Sequence, residues 1–198
     1  MPDRVKQGQG RRPELILALG LLLAGCGRGQ EPEVYKNAQG FRFTPPPGWV
    51  ERARDDAAAA RTARPQRHLP LPPLPVAGSR MPERLLVRYD RLTAGYLAWL
   101  RITVADEVRG TSLAACVSAH SPGRSWHQEG EPESLEVAGL PAARIAFAGR
   151  WDNQDYLCET VAVDQGQHVY FISASFPASD TAAREEIRQA VANAVYSG

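Results

Sequence analysis

The sequence predicts an α+β fold, a central antiparallel sheet of about six strands with helices packed on it. Three observations predict it. Short apolar or alternating runs recur, each bounded by Gly, Pro, Asn or Asp, as strands bounded by turns are. Only two segments, behind Thr111-Ser112 and behind Asp180, carry apolar residues at helical spacing after a capping side chain. Six or seven strands with two widely spaced helices then point to an antiparallel sheet carrying helices.

Composition sets the outer limits. The chain has 198 residues, 23 Lys+Arg and 22 Asp+Glu, a net charge of +1. That balance excludes a nucleic-acid binder working through bulk charge, which needs a basic surplus. With 43% hydrophobic and 23% charged residues the chain is globular in character and long enough for one domain, or two small ones. Lys6 and Lys36 are the only lysines, and the Arg-, Ala- and Pro-rich usage reads as coding bias rather than as an arginine cluster.

The first element is an address. Arg4, Lys6, Arg11 and Arg12 precede an uncharged apolar run at 15–25. As a helix this run reaches roughly 16 Å, far short of a bilayer core of about 30 Å. A basic start, a short apolar stretch and a small-residue exit form a secretory signal over 1–25. Its exit, Leu23-Ala24-Gly25-Cys26, resembles the lipobox of bacterial lipoproteins. The resemblance implies cleavage before Cys26, a diacylglycerol on its thiol, and often an acyl chain on the new amino group. The alternative is a cytoplasmic protein with a buried N-terminal helix and an ordinary core cysteine. Each buried acyl CH₂ contributes about 0.8 kcal/mol, so two or three chains on Cys26 hold a protein on a membrane. Position 27 is Gly rather than the Asp that resembles an inner-membrane retention signal, which favours the outer membrane, facing the periplasm, if the source is Gram-negative. Residues 26–33 then form the lipidated cysteine and a polar tether, and 34–198 the domain.

Within the domain, Phe41 and Phe43 alternate as strand residues behind Gly40. Pro45, Pro46 and Pro47 remove ladder donors, and Trp49-Val50 begins a second short extended piece. Residues 57–82 carry prolines at 65, 70, 72, 73, 75 and 82 without periodicity, and read as an exposed insertion with polyproline character. An SH3-type ligand role is the alternative to a plain loop. Residues 84–91 and 96–104 are predicted strands joined by a turn at Thr93-Ala-Gly95. A helix runs from Thr111 or Ser112 to about His120, with Leu113, Cys116 and Val117 on one face. Four further extended runs follow at 134–138, 142–148, 156–163 and 167–176, the last two joined by Asp164-Gln-Gly166. Asp180 caps a closing helix with a stripe of Ala183, Ile187, Ala190, Val191 and Ala194.

The segment Gly40-Phe-Arg-Phe-Thr-Pro-Pro-Pro-Gly-Trp49 resembles the start of PsbP-like and DcrB-like domains. Val137-Ala-Gly-Leu-Pro-Ala-Ala-Arg-Ile-Ala-Phe147 and the strand-then-helix over 170–195 are similar to later parts of that family. The resemblance implies a central antiparallel sheet sandwiched by helices. It also implies an accessory or binding protein, since family members are often extracytoplasmic and lipid-anchored and include an extrinsic subunit of photosystem II. The insertion at 57–82 departs from the family pattern. No family catalytic motif exists to carry over, and no cofactor is implied.

Nucleophile elbows, P-loops, dinucleotide fingerprints and His-Glu-x-x-His are missing from the sequence. His68 lies in the Pro-rich segment and His168 starts a strand. His120 and His127, followed by Glu129 and Glu131, can in principle share a metal, but Pro122-Gly123 interrupts them and the spacing fits no zinc pattern. An ordinary polar loop is the competing and preferred reading, so no metal site is assigned. Asp55-Asp56 borders the insertion, and Glu185-Glu186 decorates the early turns of a helix, where negative charge suits the dipole.

Once Cys26 carries lipid, Cys116 and Cys158 remain. Export makes a disulfide between them one reading, closing a loop of about 43 residues worth roughly 4 kcal/mol. Two separate buried thiols are the other. Trp151 beside Arg150 stands in a polar connection, and Trp126 in another. Each reads either as an interface anchor, Trp151 with Arg150 being the candidate partner contact, or as a cover folded back over the sheet. Trp49 and Trp99 read as core. The expectation is a membrane-anchored envelope lipoprotein, non-catalytic, serving as a binding or accessory protein for an envelope protein or ligand. A structural subunit of an envelope complex and an envelope enzyme with an unfamiliar site are the alternatives. Cleavage at Cys26 removes four basic and two acidic residues, leaving 19 against 20, so the slight positive balance belongs to the signal.

Overall fold

The computed structural model describes residues 34–37, 40–52, 83–93, 96–106 and 111–196. The signal, Cys26, the tether, the insertion at 57–82, His68, Asp55-Asp56 and the turn residues 94–95 lie outside the described residues. In chain order the elements are β1 (Tyr35–Lys36), β2 (Phe41–Phe43), β3 (Val50–Glu51), β4 (Glu83–Thr93), β5 (Tyr96–Asp106) and α1 (Leu113–Ser118). They continue with β6 (His127–Gln128), β7 (Glu133–Val137), β8 (Leu140–Trp151), β9 (Gln154–Asp164), β10 (His168–Pro177), α2 (Thr181–Ala192) and β11 (Val195–Tyr196).

Five long strands carry the main sheet, in the order β3-β4-β5-β10-β9-β8-β6, with β7 also pairing β8; every pairing is antiparallel. Among the described residues the sheet therefore has eight strands, not about six, and a second sheet of three strands, β1-β2-β11, stands apart from it. The sequence reading undercounts because it takes Trp49-Val50 (β3) only as a short extended piece, and because β6 is two residues long, too short to display alternation. Phe41 and Phe43 do alternate inward as expected, but β2 belongs to the small sheet. The helices behave as predicted. Ser112, rather than Thr111, caps α1 by accepting the Ala115 N–H at 3.2 Å, and Asp180 caps α2 by accepting the Ala183 N–H at 3.0 Å. Each such cap is worth about 1 kcal/mol.

Alternation along the strands builds two cores, one on each face. On the central strand β10, Tyr170, Ile172, Ala174 and Phe176 enter one core, and Val169 and Phe171 the other. The first core takes in Ala183, Ile187, Ala190 and Val191 of α2 together with the small sheet, whose Phe41 ring stacks 4.8 Å from Tyr170. The second takes in Cys116 and Val117 of α1, Trp99, Trp126 and Phe147. These are called the α2 face and the α1 face below. At the far end of β8 a two-residue turn, Asp152 and Asn153, both at positive φ (47° and 62°), reverses the chain just after Trp151.

Candidate functional site

The α2 face contains a cavity of about 140 Å³, partly open to solvent, between α2 and the β7-β8-β9-β10 part of the sheet. The periodicities of two elements make it. The strand positions Leu135, Val137, Val161 and Ile172 turn to this face, and the helix positions Ile187 and Val191, four apart, lie over them. The walls are therefore aliphatic, without an aromatic side chain to fill the centre. Glu136, Arg144, Glu159 and Arg188 stand at the border.

The border is a chain of charges. Glu159, only 4% exposed, accepts from Arg188 Nη2 at 2.6 Å and Nε at 3.1 Å, and from Arg184 Nε at 2.7 Å. Arg184 and Arg188 are four apart on α2, so both guanidinium groups reach the same strand residue. The Glu159 hydrogen bond is the main influence raising the Arg188 pKa, against desolvation. Beside them Arg144 Nη2 lies 2.6 Å from Glu133 Oε2, its cross-strand partner, and that bond holds the Glu133 carboxyl below its ordinary value.

The α1 face holds charge inside. His120 is fully buried and stacks on Phe171 with ring centroids 4.2 Å apart. Its Nδ1 lies 2.7 Å from the Cys116 carbonyl oxygen, which can only accept, so Nδ1 donates. Its Nε2 lies 2.6 Å from Glu83 Oε1, and Thr103 Oγ1 donates to Glu83 Oε2 at 2.6 Å. The Glu83 carboxyl is pushed up by burial, its largest single influence. The His120 hydrogen bond and charge, with the Thr103 hydroxyl, outweigh that and hold it below the ordinary value. Two strands away, Thr160 Oγ1 donates to Ser173 Oγ at 3.0 Å. Asp90, on the same face, pairs with Arg52 at 2.7 Å and Arg88 at 2.9 Å.

The predicted site residues fall as follows. Cys116 and Cys158 are free, buried thiols within one core, and burial raises both pKa values, Cys158 to about 12. Neither is an activated nucleophile. Trp151 packs half-buried against the α1-face core, and exposed Arg150 donates to the Asn153 carbonyl of its own turn at 3.3 Å. Trp126 is folded back over Gly149 and buried, as are Trp49 and Trp99 in their cores. His120 and His127 are not brought together. His127 is exposed and pairs with Glu129 at 2.9 Å, while His120 is inside, a correction to its reading as an ordinary loop residue. No group of three or more potential metal ligands exists among the described residues. Glu186 is tied to Arg91, which also lies over the Trp49 ring. Glu83, Glu159 and the α2 arginines escaped the sequence reading. The only available signal was an acid inside the continuous apolar run of β9.

This arrangement, an antiparallel sheet with a helix on each face, is PsbP-like. No family model matches the chain, and no curated protein sequence matches it. Solved structures do. Cyanobacterial PsbP (CyanoP) of Synechocystis sp. is similar over 88% of this chain and 99% of its own, with a TM-score of 0.51 and 13% identity. LpqN of Mycobacterium tuberculosis, described as involved in cell envelope biogenesis, is similar over 86% of this chain and 88% of its own, with a TM-score of 0.51 and 11% identity. A Pseudomonas aeruginosa protein of unknown function, described as a putative regulator, aligns over 85% of this chain and 99% of its own with a TM-score of 0.47 and 10% identity. At these identities the likeness is one of fold.

Proposed function

We propose that this chain is a lipid-anchored accessory protein of the cell envelope whose PsbP-like domain binds a small ligand without transforming it. The observation that carries the binding reading is the aliphatic cavity of about 140 Å³ under α2, bordered by charge. Concave, mostly apolar sites with a few placed polar groups are where proteins hold small molecules. The anchor rests on the basic-apolar-small signal ending at Cys26, and the envelope setting agrees with the description of LpqN. On this reading Cys26 carries the lipid, the tether at 26–33 presents the domain, and no residue acts as a catalyst. Metabolic labelling with an alkyne fatty acid tests the anchor: wild type takes up label and Cys26→Ala does not. Equal labelling of the two, at any level, overturns it.

A role as a structural subunit is the second reading. It is favoured by Val50 and Leu92, both about two-thirds exposed at the β3–β4 edge of the sheet. Cross-linking in native membranes followed by co-purification tests it. A single stoichiometric partner lost on Leu92→Glu supports it, and a monomeric protein contradicts it.

A further inference from the structure

Resting on the binding reading above, we propose that the cavity takes the ring or branched end of a small organic carboxylate, whose carboxylate group is received by Arg144 at the mouth. Size comes first. A cavity of about 140 Å³ is close to the roughly 150 Å³ that holds a benzene-sized guest, so one six-membered ring or a short branched chain fits and a long acyl chain does not. The walls come next. Leu135, Val137, Val161, Ile172, Ile187 and Val191 offer no hydrogen-bonding side chain, so the inserted end is apolar.

The sign of the head group follows from the border. The connected charges there are three arginines, 144, 184 and 188, against two carboxylates, Glu133 and Glu159. Glu136 also lines the cavity, but it stands on β7 between Leu135 and Val137, where alternation turns its exposed side chain away from the aliphatic walls. Glu185 is exposed and acts on Arg188 only at a distance. A cationic ligand meets an acid that is already saturated, because both oxygens of Glu159 are taken by the α2 arginines. Arg144 is the available cation. It lines the cavity whereas its partner Glu133 does not, and Glu133 is 60% exposed, so their pairing is weakly held and readily exchanged. A guanidinium has five N–H donors and can also hold two carboxylates at once.

Isothermal titration of the full-length chain in a non-ionic detergent tests this, with phenylacetate and its neutral isostere phenylacetamide as probes. Wild type is expected to bind phenylacetate about tenfold more tightly than phenylacetamide. Arg144→Gln is expected to level the two by weakening only the anion, and Val191→Phe to abolish both by filling the cavity. Arg144→Gln changes a border residue, so the comparison stands even if Val191→Phe does not fold. If phenylacetamide binds wild type as tightly as phenylacetate, the carboxylate assignment is overturned while the cavity reading stands. If neither probe binds wild type, both are overturned.

Discussion

On the α2 face, charge stays at the border of an aliphatic layer: Glu159 meets two arginines that remain about one-third exposed, and the layer itself leaves a cavity. On the α1 face, charge goes into the layer: His120 and Glu83 are both inside, held by a ring stack, a backbone carbonyl and a threonine hydroxyl. The same sheet thus carries an adaptable side and a pinned one. The partly exposed Arg144–Glu133 pair loses little water and can exchange partners, whereas Glu159, only 4% exposed, and the buried Glu83–His120 pair must keep their hydrogen bonds or leave a desolvated charge behind.

Substitutions separate the two faces. His120→Ala removes the buried ring and strands the Glu83 carboxylate, and is expected to cost about 3–5 kcal/mol in urea unfolding. A cost below about 1 kcal/mol means the α1 face is not pinned by this pair. Packing gives the next contrast. At Gly149 an added Cβ would stand 2.4 Å from the Trp126 ring, so Gly149→Ala is expected to cost about 1–3 kcal/mol and to change tryptophan fluorescence. Val191→Ile, which adds a carbon beside the cavity, is expected to stay within about 1 kcal/mol of wild type. Equal effects erase the distinction between a filled face and a hollow one.

A pH series sharpens it. The folded-state Glu83 carboxyl is held low, so its contribution is present above the unfolded value of about 4.3 and is lost as pH falls below that. Stability measured from pH 7 to pH 3 is expected to fall less steeply in Glu83→Gln than in wild type, though not to level, because Glu133 is also held low by Arg144. Identical acid limbs contradict the assignment. The smallest effect is expected at Arg150. Arg150→Ala removes one exposed bond to Asn153 and is expected to shift stability by less than about 0.5 kcal/mol.

Much of this architecture is readable in the sequence, for reasons that differ between elements. Ser112 and Asp180 declare their helices because capping is local, requiring one oxygen and an N–H three residues on. The β8–β9–β10 meander is readable because long strands repeat their alternation between turn residues. Two-residue strands have nothing to repeat, so β1, β6 and β11 do not announce themselves. The charged clusters are hidden for another reason. His120 lies 37 positions from Glu83, and Arg188 29 from Glu159, so each side chain alone reads as solvated. Pro122-Gly123 just beyond His120 reinforces a loop reading, although the histidine itself packs under the helix it follows. The cavity is a property of how α2 is seated, and no local pattern encodes it.

The central claim is that ligand binding belongs to the α2 face and structural pinning to the α1 face. Methyl NMR of the full-length chain, titrated with phenylacetate, tests it most directly. Shifts are expected at Val137, Val161, Ile172, Ile187 and Val191, which face α2, and not at Val117, Ile145 and Val169, which face α1. Perturbation centred on the second set, or none in either, contradicts the account.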